Sequence, residues 1–353
     1  MDKNFWSKLG RPFFILAPMA NVTDWAFRKI VAKCGRPDVF YTEFLSCDGI
    51  VYDKTRPACP VGRFEKELYF EKSEKPIVVQ FFGSKPENFY KCAQLAVELG
   101  FDGIDINMGC PDRSVEKQGA GAALIKNPKL AKEIIKETKR GAGNLPVSIK
   151  TRLGYSKIET KDWVSTLLEM EPAALIIHGR TRKEMSSVPA HWDEIGLAAE
   201  IATGSTSSIN LGQVGSRREG TKTLIVGNGD VVNLNDAKQK AKDYNLDGIM
   251  VGRGIFANPW FFNENIKIKE VKPIQRIELL MKHLDNFEKL WGNSPVDGKN
   301  PVPEQERCEA RFDTMKKFFK VYISGFDGAK ELRTKLMTVK NKQGIVDILS
   351  KAL

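Results

Sequence analysis

The sequence predicts an α/β fold: a (β/α)8 TIM barrel followed by a small C-terminal all-helical domain. Three observations lead there. Eight short apolar, β-branched runs recur over the first three quarters of the chain, most of them separated by stretches whose apolar residues repeat at helical spacing. After residue 265 the strand pattern stops and only helical spacing is left. Continuous apolar strands between helices indicate parallel strands covered on both faces. Eight such units within residues 1–264 match the usual size of a barrel, about 250 residues. A doubly wound open sheet would want a Gly-rich dinucleotide loop after its first strand, and Ala17-Pro18-Met19-Ala20 is not one.

The expected strands are 13–17, 39–43, 77–82, 103–107, 147–151, 174–178, 223–227 and 248–252. Helical patterns fill 23–34, 86–99, 128–139, 160–170 and 233–243. Thr23-Asp24 is a capping pair ahead of Trp25, Phe27, Ile30 and Val31, while Pro86 and Pro128 stand at first-turn positions. The polar, Gly/Ser-rich stretch 202–222 reads as a long surface loop. Beyond it, Ile274, Ile277, Met281, Leu284, Phe287 and Trp291 form one helical stripe. Phe312, Met315, Phe319 and Tyr322 form a second, and Leu332, Leu336 and Val339 a third, with a Pro/Gly-rich connector at 293–303. The division is therefore 1–264 for the barrel and 265–353 for the helical domain.

Composition narrows the function. The chain has 353 residues, 42% of them hydrophobic, and no window approaches the ~18 uninterrupted apolar residues of a membrane span. Residues 1–10 carry no leader pattern, so a cytoplasmic location is expected. Cys34, Cys47, Cys59, Cys92, Cys110 and Cys308 include no Cys-x-x-Cys pair and read as reduced thiols. With only His178, His191 and His283, no metal site is expected. The net charge is +11, and residues 266–353 hold 18 Lys and Arg against 12 Asp and Glu. Lys316, Lys317 and Lys320 share a segment with Phe318 and Tyr322, a pattern that suits a polyanion docking surface and also a plain solvated face.

Chemistry is expected where strands end, because barrels place it there. The fourth strand runs into Asn107-Met108-Gly109-Cys110-Pro111. A thiol in that place can be nucleophile, metal ligand, redox partner or proton donor. With histidines so few, Cys110 lacks an obvious base, and a neutral thiol suits proton delivery. The Gly-rich stretch 108–121 reads as a lid. Pro18, Met19 and Ala20 make a flat apolar turn, and Gln80 is an amide inside an apolar run that can both donate and accept. Lys150 and Arg152 put two cations at one rim, with an ion pair from Lys150 to Asp105 or Glu43 as the competing account. His178 and Arg180 end the sixth strand. Asn228, Gly229 and Asp230 follow the seventh and Gly252 and Arg253 the eighth, the pair of loops that holds a phosphate in many barrels.

Taken together and in order, these motifs resemble the dihydrouridine synthase family. The match runs through Ala17-Pro18-Met19, Gln80, Asn107–Pro111, Gly119-Ala120-Gly121, Lys150-Thr151-Arg152, His178–Thr181, Asn228-Gly229-Asp230 and Gly252-Arg253-Gly254. The resemblance implies an FMN enzyme that reduces a uridine of tRNA to 5,6-dihydrouridine with NADPH as electron source. It implies that Pro18, Met19, Ala20, Gln80, Lys150 and His178 contact the flavin, and that Asn228–Asp230 and Gly252–Arg253 hold its phosphate. Asn107, Lys150, Arg152 and Arg180 would face the substrate, and Cys110 would protonate C5 after hydride from flavin N5 reaches C6. The chain would act without a metal or a membrane, as a monomer whose helical domain grips RNA.

Two departures stand out: the long polar stretch 202–222, and 182–192, which lacks the Gln/Tyr- and Gly-containing version many members carry. Two other readings stay open on the residues. One is a flavin barrel acting on a small dihydropyrimidine- or dihydroorotate-type substrate. The other is a non-catalytic RNA-binding barrel.

Overall fold

Eight parallel strands form one sheet in a computed structural model that describes residues 4–53, 64–204, 223–291 and 312–350. They are β1 (Phe13–Leu16), β2 (Phe40–Ser46), β3 (Ile77–Phe82), β4 (Gly103–Met108), β5 (Val147–Arg152), β6 (Ala174–His178), β7 (Leu224–Asn228) and β8 (Gly248–Val251). The order is β1-β8-β7-β6-β5-β4-β3-β2, and a parallel bridge between Ile15 and Val39 brings the two ends together. The Leu16 N–H donates to the Val39 carbonyl at 3.2 Å, so the sheet closes on itself. This is the predicted barrel, with boundaries shifted by a residue or two except at β2, which runs on to Ser46.

The alternation of side chains divides each strand between two cores. Leu16, Phe40, Val79, Phe81, Ile104, Ile106, Ile149 and Ile177 face outward into the layer between strands and helices. Phe13, Ile15, Ala17, Val39, Tyr41, Val78, Ile176, Val226 and Met250 fill the barrel interior, with Trp6 packed against them. Gly248 makes room for this filling: a Cβ there would stand 2.5 Å from the Phe13 ring.

The helices form where expected: Trp25–Cys34, Pro86–Glu98, Pro128–Ala142, Thr160–Leu168 and Leu234–Asp243. Asp24 caps the first by accepting the Phe27 N–H at 2.9 Å, and Asn127 caps the third. Trp192–Thr203 is a further helix that the sequence reading passed over. Its signal is present in Trp192, Ile195, Ala198 and Ala199 at helical spacing, acidic residues in the first turn and Gly204 at the C-cap. Most of the 202–222 stretch and all of the 293–303 connector lie outside the described residues.

The C-terminal part is helical, with Pro273–Trp291 the longest element and Phe319–Tyr322, Ala329–Leu336 and Lys342–Leu349 after it. It packs on the barrel's first helix. The Phe27 ring lies 4.9 Å from Phe318 and 5.5 Å from His283, and the Trp291 indole donates to Asp24 at 3.0 Å. No described helix is long and apolar enough to cross a membrane.

Candidate active site

The strand alternation that fills the barrel also builds its mouth. Residues two steps beyond the buried interior positions share their inward direction. Gln80 follows Val78, His178 follows Ile176, Asn228 follows Val226 and Gly252 follows Met250. Asp105 stands opposite Gln80 and Ser148, and Asn107 opposite Lys150. The polar residues picked out from the sequence thus converge on one end of the barrel.

A chain of buried hydrogen bonds runs across β5, β4 and β3 and ends at the Cys110 turn. Ser148 Oγ donates to Asp105 Oδ1 at 2.6 Å, and Asp105 Oδ2 accepts from Gln80 Nε2 at 2.7 Å. Gln80 Oε1 accepts from Asn107 Nδ2 at 2.9 Å. Asn107 Oδ1 then accepts two main-chain N–H groups, Gly109 at 3.1 Å and Cys110 at 2.8 Å. Gln80 is sealed from solvent, with both ends of its amide on side chains, and not, as the sequence reading allowed, on backbone. Burial raises the Asp105 carboxyl to about 6, against the pull of Ser148, Gln80 and Lys150.

Cys110 is half-buried at the tip of this chain. Burial pushes its thiol up, outweighing the Asp112 N–H, Arg152 and Lys150, so the group is a thiol at neutral pH. In this conformation the stretch 108–121, read from sequence as a lid, is tethered at three points. Arg152 Nε donates to the Gly109 carbonyl at 2.7 Å, and the Cys110 carbonyl accepts the Ala122 N–H at 2.9 Å. Glu116, in the short helix Arg113–Glu116, pairs with Arg182. Gly121 has φ +60, and a Cβ there would strike the Cys110 carbonyl at 2.7 Å, so only glycine lets the turn close.

Three cations of the mouth have different duties. Arg152, beyond Gly109, bonds the Thr181 carbonyl at 3.2 Å. Arg180 bonds the Val188 carbonyl, the Asp230 carboxylate and His178 Nε2. Both guanidiniums, expected at the substrate, are thus tied to protein groups. Lys150 is the exception: among the described residues its side chain has no hydrogen bond and no ion pair, with Asp105 and Glu43 included. Burial and Arg152 lower its ammonium to about 8, against Asp105 and Cys110, so it is charged at pH 7. His178 is held well below its ordinary pKa by burial, Arg152, Lys150, Arg180 and Arg253, and is neutral.

The loops after β7 and β8 face each other. Asn228 Nδ2 donates to the Met250 carbonyl at 2.8 Å and fixes their separation. Gly229 has φ +131, and a Cβ there would stand 2.9 Å from the Ala190 Cβ. Asp230 accepts from Ala190 N–H at 2.9 Å and pairs with Arg180 and Arg253. Burial raises its carboxyl, but these three partners more than offset that and hold it below the usual range. Among the described residues, nothing accepts the main-chain N–H of Gly229, Asp230, Gly252 or Arg253. A Cβ on Gly252 would meet only Ala17 Cβ at 3.8 Å and Met19 Sδ at 4.0 Å. Open room beside unused N–H groups, an apolar Pro18-Met19 wall and a half-buried cation without a partner fit a phosphorylated ring cofactor.

The model of the family described as dihydrouridine synthase (Dus) matches residues 15–200 and 199–353. The chain belongs to the dihydrouridine synthase family. A relative in Staphylococcus aureus strain MRSA252, named probable tRNA-dihydrouridine synthase, is 41% identical over 347 residues, covering 97% of this chain and 93% of its own. Probable tRNA-dihydrouridine synthase 2 of Bacillus subtilis strain 168 is 40% identical over 355 residues, covering 99% and 96%. Among solved structures, a 2-naphthoyl-CoA reductase complex superposes with a TM-score of 0.52 at 11% identity, over 75% of this chain and 52% of that one, a likeness of fold. As a member of the family, the chain is an oxidoreductase that turns uridine into dihydrouridine.

Sequence reading missed the supporting residues of this synthase site. Residue type marks Asp105 only as an ion-pair partner for Lys150, although a carboxylate at an inward position of an apolar strand signals a buried network. Ser148 and the anchors Val188 and Ala190 carry no signal of their own, since main-chain partners are invisible in residue type.

Proposed function

We propose that this chain reduces a uridine in tRNA to 5,6-dihydrouridine, using bound FMN that NADPH recharges. The observation that carries the reading is a neutral Cys110 thiol at the barrel mouth, on a turn pinned by Asn107, in a mouth that also holds the unpartnered Lys150 cation. Pro18, Met19 and Ala20 would wall the ring, with Lys150 and His178 at its polar edge and Gln80 behind Asn107. The N–H groups of Gly229, Asp230, Gly252 and Arg253 would take the phosphate, while the Asp230 carboxylate orients Arg253.

When bound, reduced flavin supplies the hydride that reaches C6 of the uracil. The electron pair displaced from the C5–C6 bond moves toward C5 and the C4 carbonyl. Lys150, charged at pH 7 and poorly solvated, stabilises that charge. Cys110 Sγ–H delivers the proton to C5, and the thiolate regains it from water. Asn107 keeps one N–H beyond its bond to Gln80, enough to orient a base carbonyl. Arg152 and Arg180 serve the substrate by holding Gly109 and His178 in place.

A base reaches such a mouth only after leaving its stack, which requires a grip on the flanking RNA. Residues 265–353 would supply it. Lys316, Lys317, Lys320, Lys330 and Arg333, with Met337, line a surface cavity of about 380 Å³ on the helical part. Lys316 is paired with Asp313 at 2.6 Å, while Lys320 and Lys330 are exposed. The protein would work as a cytoplasmic monomer.

The test is direct. Purified protein should absorb near ~450 nm, bleach on NADPH addition under argon and bind tRNA less tightly as salt rises. Colourless protein, or reduction of free uracil as efficient as that of tRNA, would remove the reading.

A further inference from the structure

We infer that Asp105 and Gln80 are positioning residues that fix the donor direction of the chain ending at Cys110. The inference deepens the role proposed for Cys110 and rests on that reading. Asp105 Oδ2 only accepts, so Gln80 must turn Nε2 toward it. Gln80 therefore shows Oε1 to Asn107, which must answer with Nδ2. Asn107 is left with Oδ1 toward the turn, where it accepts the N–H groups of both Gly109 and Cys110. Reversing any one amide would bring two acceptors or two donors face to face in a sealed site. All three side chains are buried, Asp105 and Gln80 fully and Asn107 to 6% exposure, so water does not relieve such a clash. The carboxylate thereby sets the place of a sulfur three residues beyond Asn107.

The direction of the chain can be inverted without changing its shape or total charge. Asn107→Asp keeps an acceptor for the turn but confronts Gln80 with carboxylates on both sides. Adding Asp105→Asn turns the chain round. The amide now at position 105 donates to Gln80 Oε1, and Gln80 Nε2 donates to the carboxylate now at position 107. Ser148 still donates to the Oδ1 atom at position 105. Cys110 reports the outcome through its rate of alkylation by iodoacetamide, read by peptide mass spectrometry over a range of pH and compared per thiolate, because a carboxylate at position 107 itself raises the thiol. Burial also raises this thiol, and a loosened turn exposes Sγ and speeds alkylation per thiolate.

The expected result is alkylation about fivefold faster in Asn107→Asp and a return to within about twofold of the parent in the double variant. A parent-like rate in Asn107→Asp overturns the inference, and so does a double variant as fast as the single one. If Asn107→Asp does not fold, a folded double variant with the parent rate supports the inference and an unfolded one overturns it. A merely space-filling role for Asp105 predicts no rescue. Alkylation does not depend on what the thiol does in turnover. Failure of Cys110 as proton donor would show instead as undiminished product formation by Cys110→Ala.

Discussion

Arg180 Nη1 lies 3.3 Å from His178 Nε2, and this contact determines the form of the histidine. A guanidinium only donates, so Nε2 accepts and the ring proton sits on Nδ1. His178 therefore meets a ligand as a neutral donor. The nearby cations all push the same way, which keeps it neutral through the physiological range.

A second buried histidine gives the clearest pH prediction. His283 is fully buried, its Nδ1 bonded to the Tyr322 hydroxyl at 2.9 Å and its Nε2 without a partner among the described residues. Burial lowers it to about 3, with Lys317 adding to the effect. Its folded pKa lies below the unfolded value, so its stabilising share is complete above about pH 6.5 and falls as pH drops toward 3. Chemical denaturation should show the parent losing up to about 1.4 kcal/mol per pH unit more than His283→Gln between pH 6.5 and 4.5. Parallel curves would refute the assignment.

Lys150→Met should separate stability from activity. The parent holds an unpartnered cation in a desolvated place, and methionine removes that cost while keeping the length. The flavin-free variant should be more stable at pH 7 by on the order of 1–3 kcal/mol, while dihydrouridine formation falls at least ~100-fold. Denaturant melts and product assays on the same preparation check both halves.

Two glycines should fail in opposite ways. Gly252→Ala adds a Cβ that meets no described atom closer than 3.8 Å, so the protein should fold with stability within about 1 kcal/mol of the parent yet lose its yellow colour. Gly229→Ala, at φ +131 and 2.9 Å from Ala190 Cβ, should cost about 1–3 kcal/mol in stability before any question of ligand arises.

The basic cavity gives a salt-dependence prediction. Lys320→Gln and Lys330→Gln should each reduce the slope of log affinity for tRNA against log salt by about one unit. Fluorescence titrations at several salt concentrations measure it, and an unchanged slope would make these lysines an ordinary solvated face.

The barrel was legible because its strands are predominantly apolar, β-branched runs, and parity carries the polar residues set in them, Gln80, Asn107, Lys150, His178 and Asn228, to one mouth. What residue type does not disclose is partnership. Arg152 and Arg180 read as rim cations, but whether a guanidinium meets a ligand or a carbonyl depends on loops far away in sequence. The glycines of 108–121 suggest a lid but not what holds it. Glu116 meets Arg182 across 66 positions, and no local pattern foretells that tether. The helix Trp192–Thr203 escaped notice because alanines blur its apolar stripe.

In the proposed reaction Cys110 protonates the reduced uracil. Parent and Cys110→Ala proteins, matched for bound flavin and tRNA affinity, should be given unmodified tRNA and NADPH and assayed for dihydrouridine by nucleoside mass spectrometry. Cys110→Ala should lose about 10²–10⁴-fold in product formation. Product formation by Cys110→Ala at the parent rate would contradict this role.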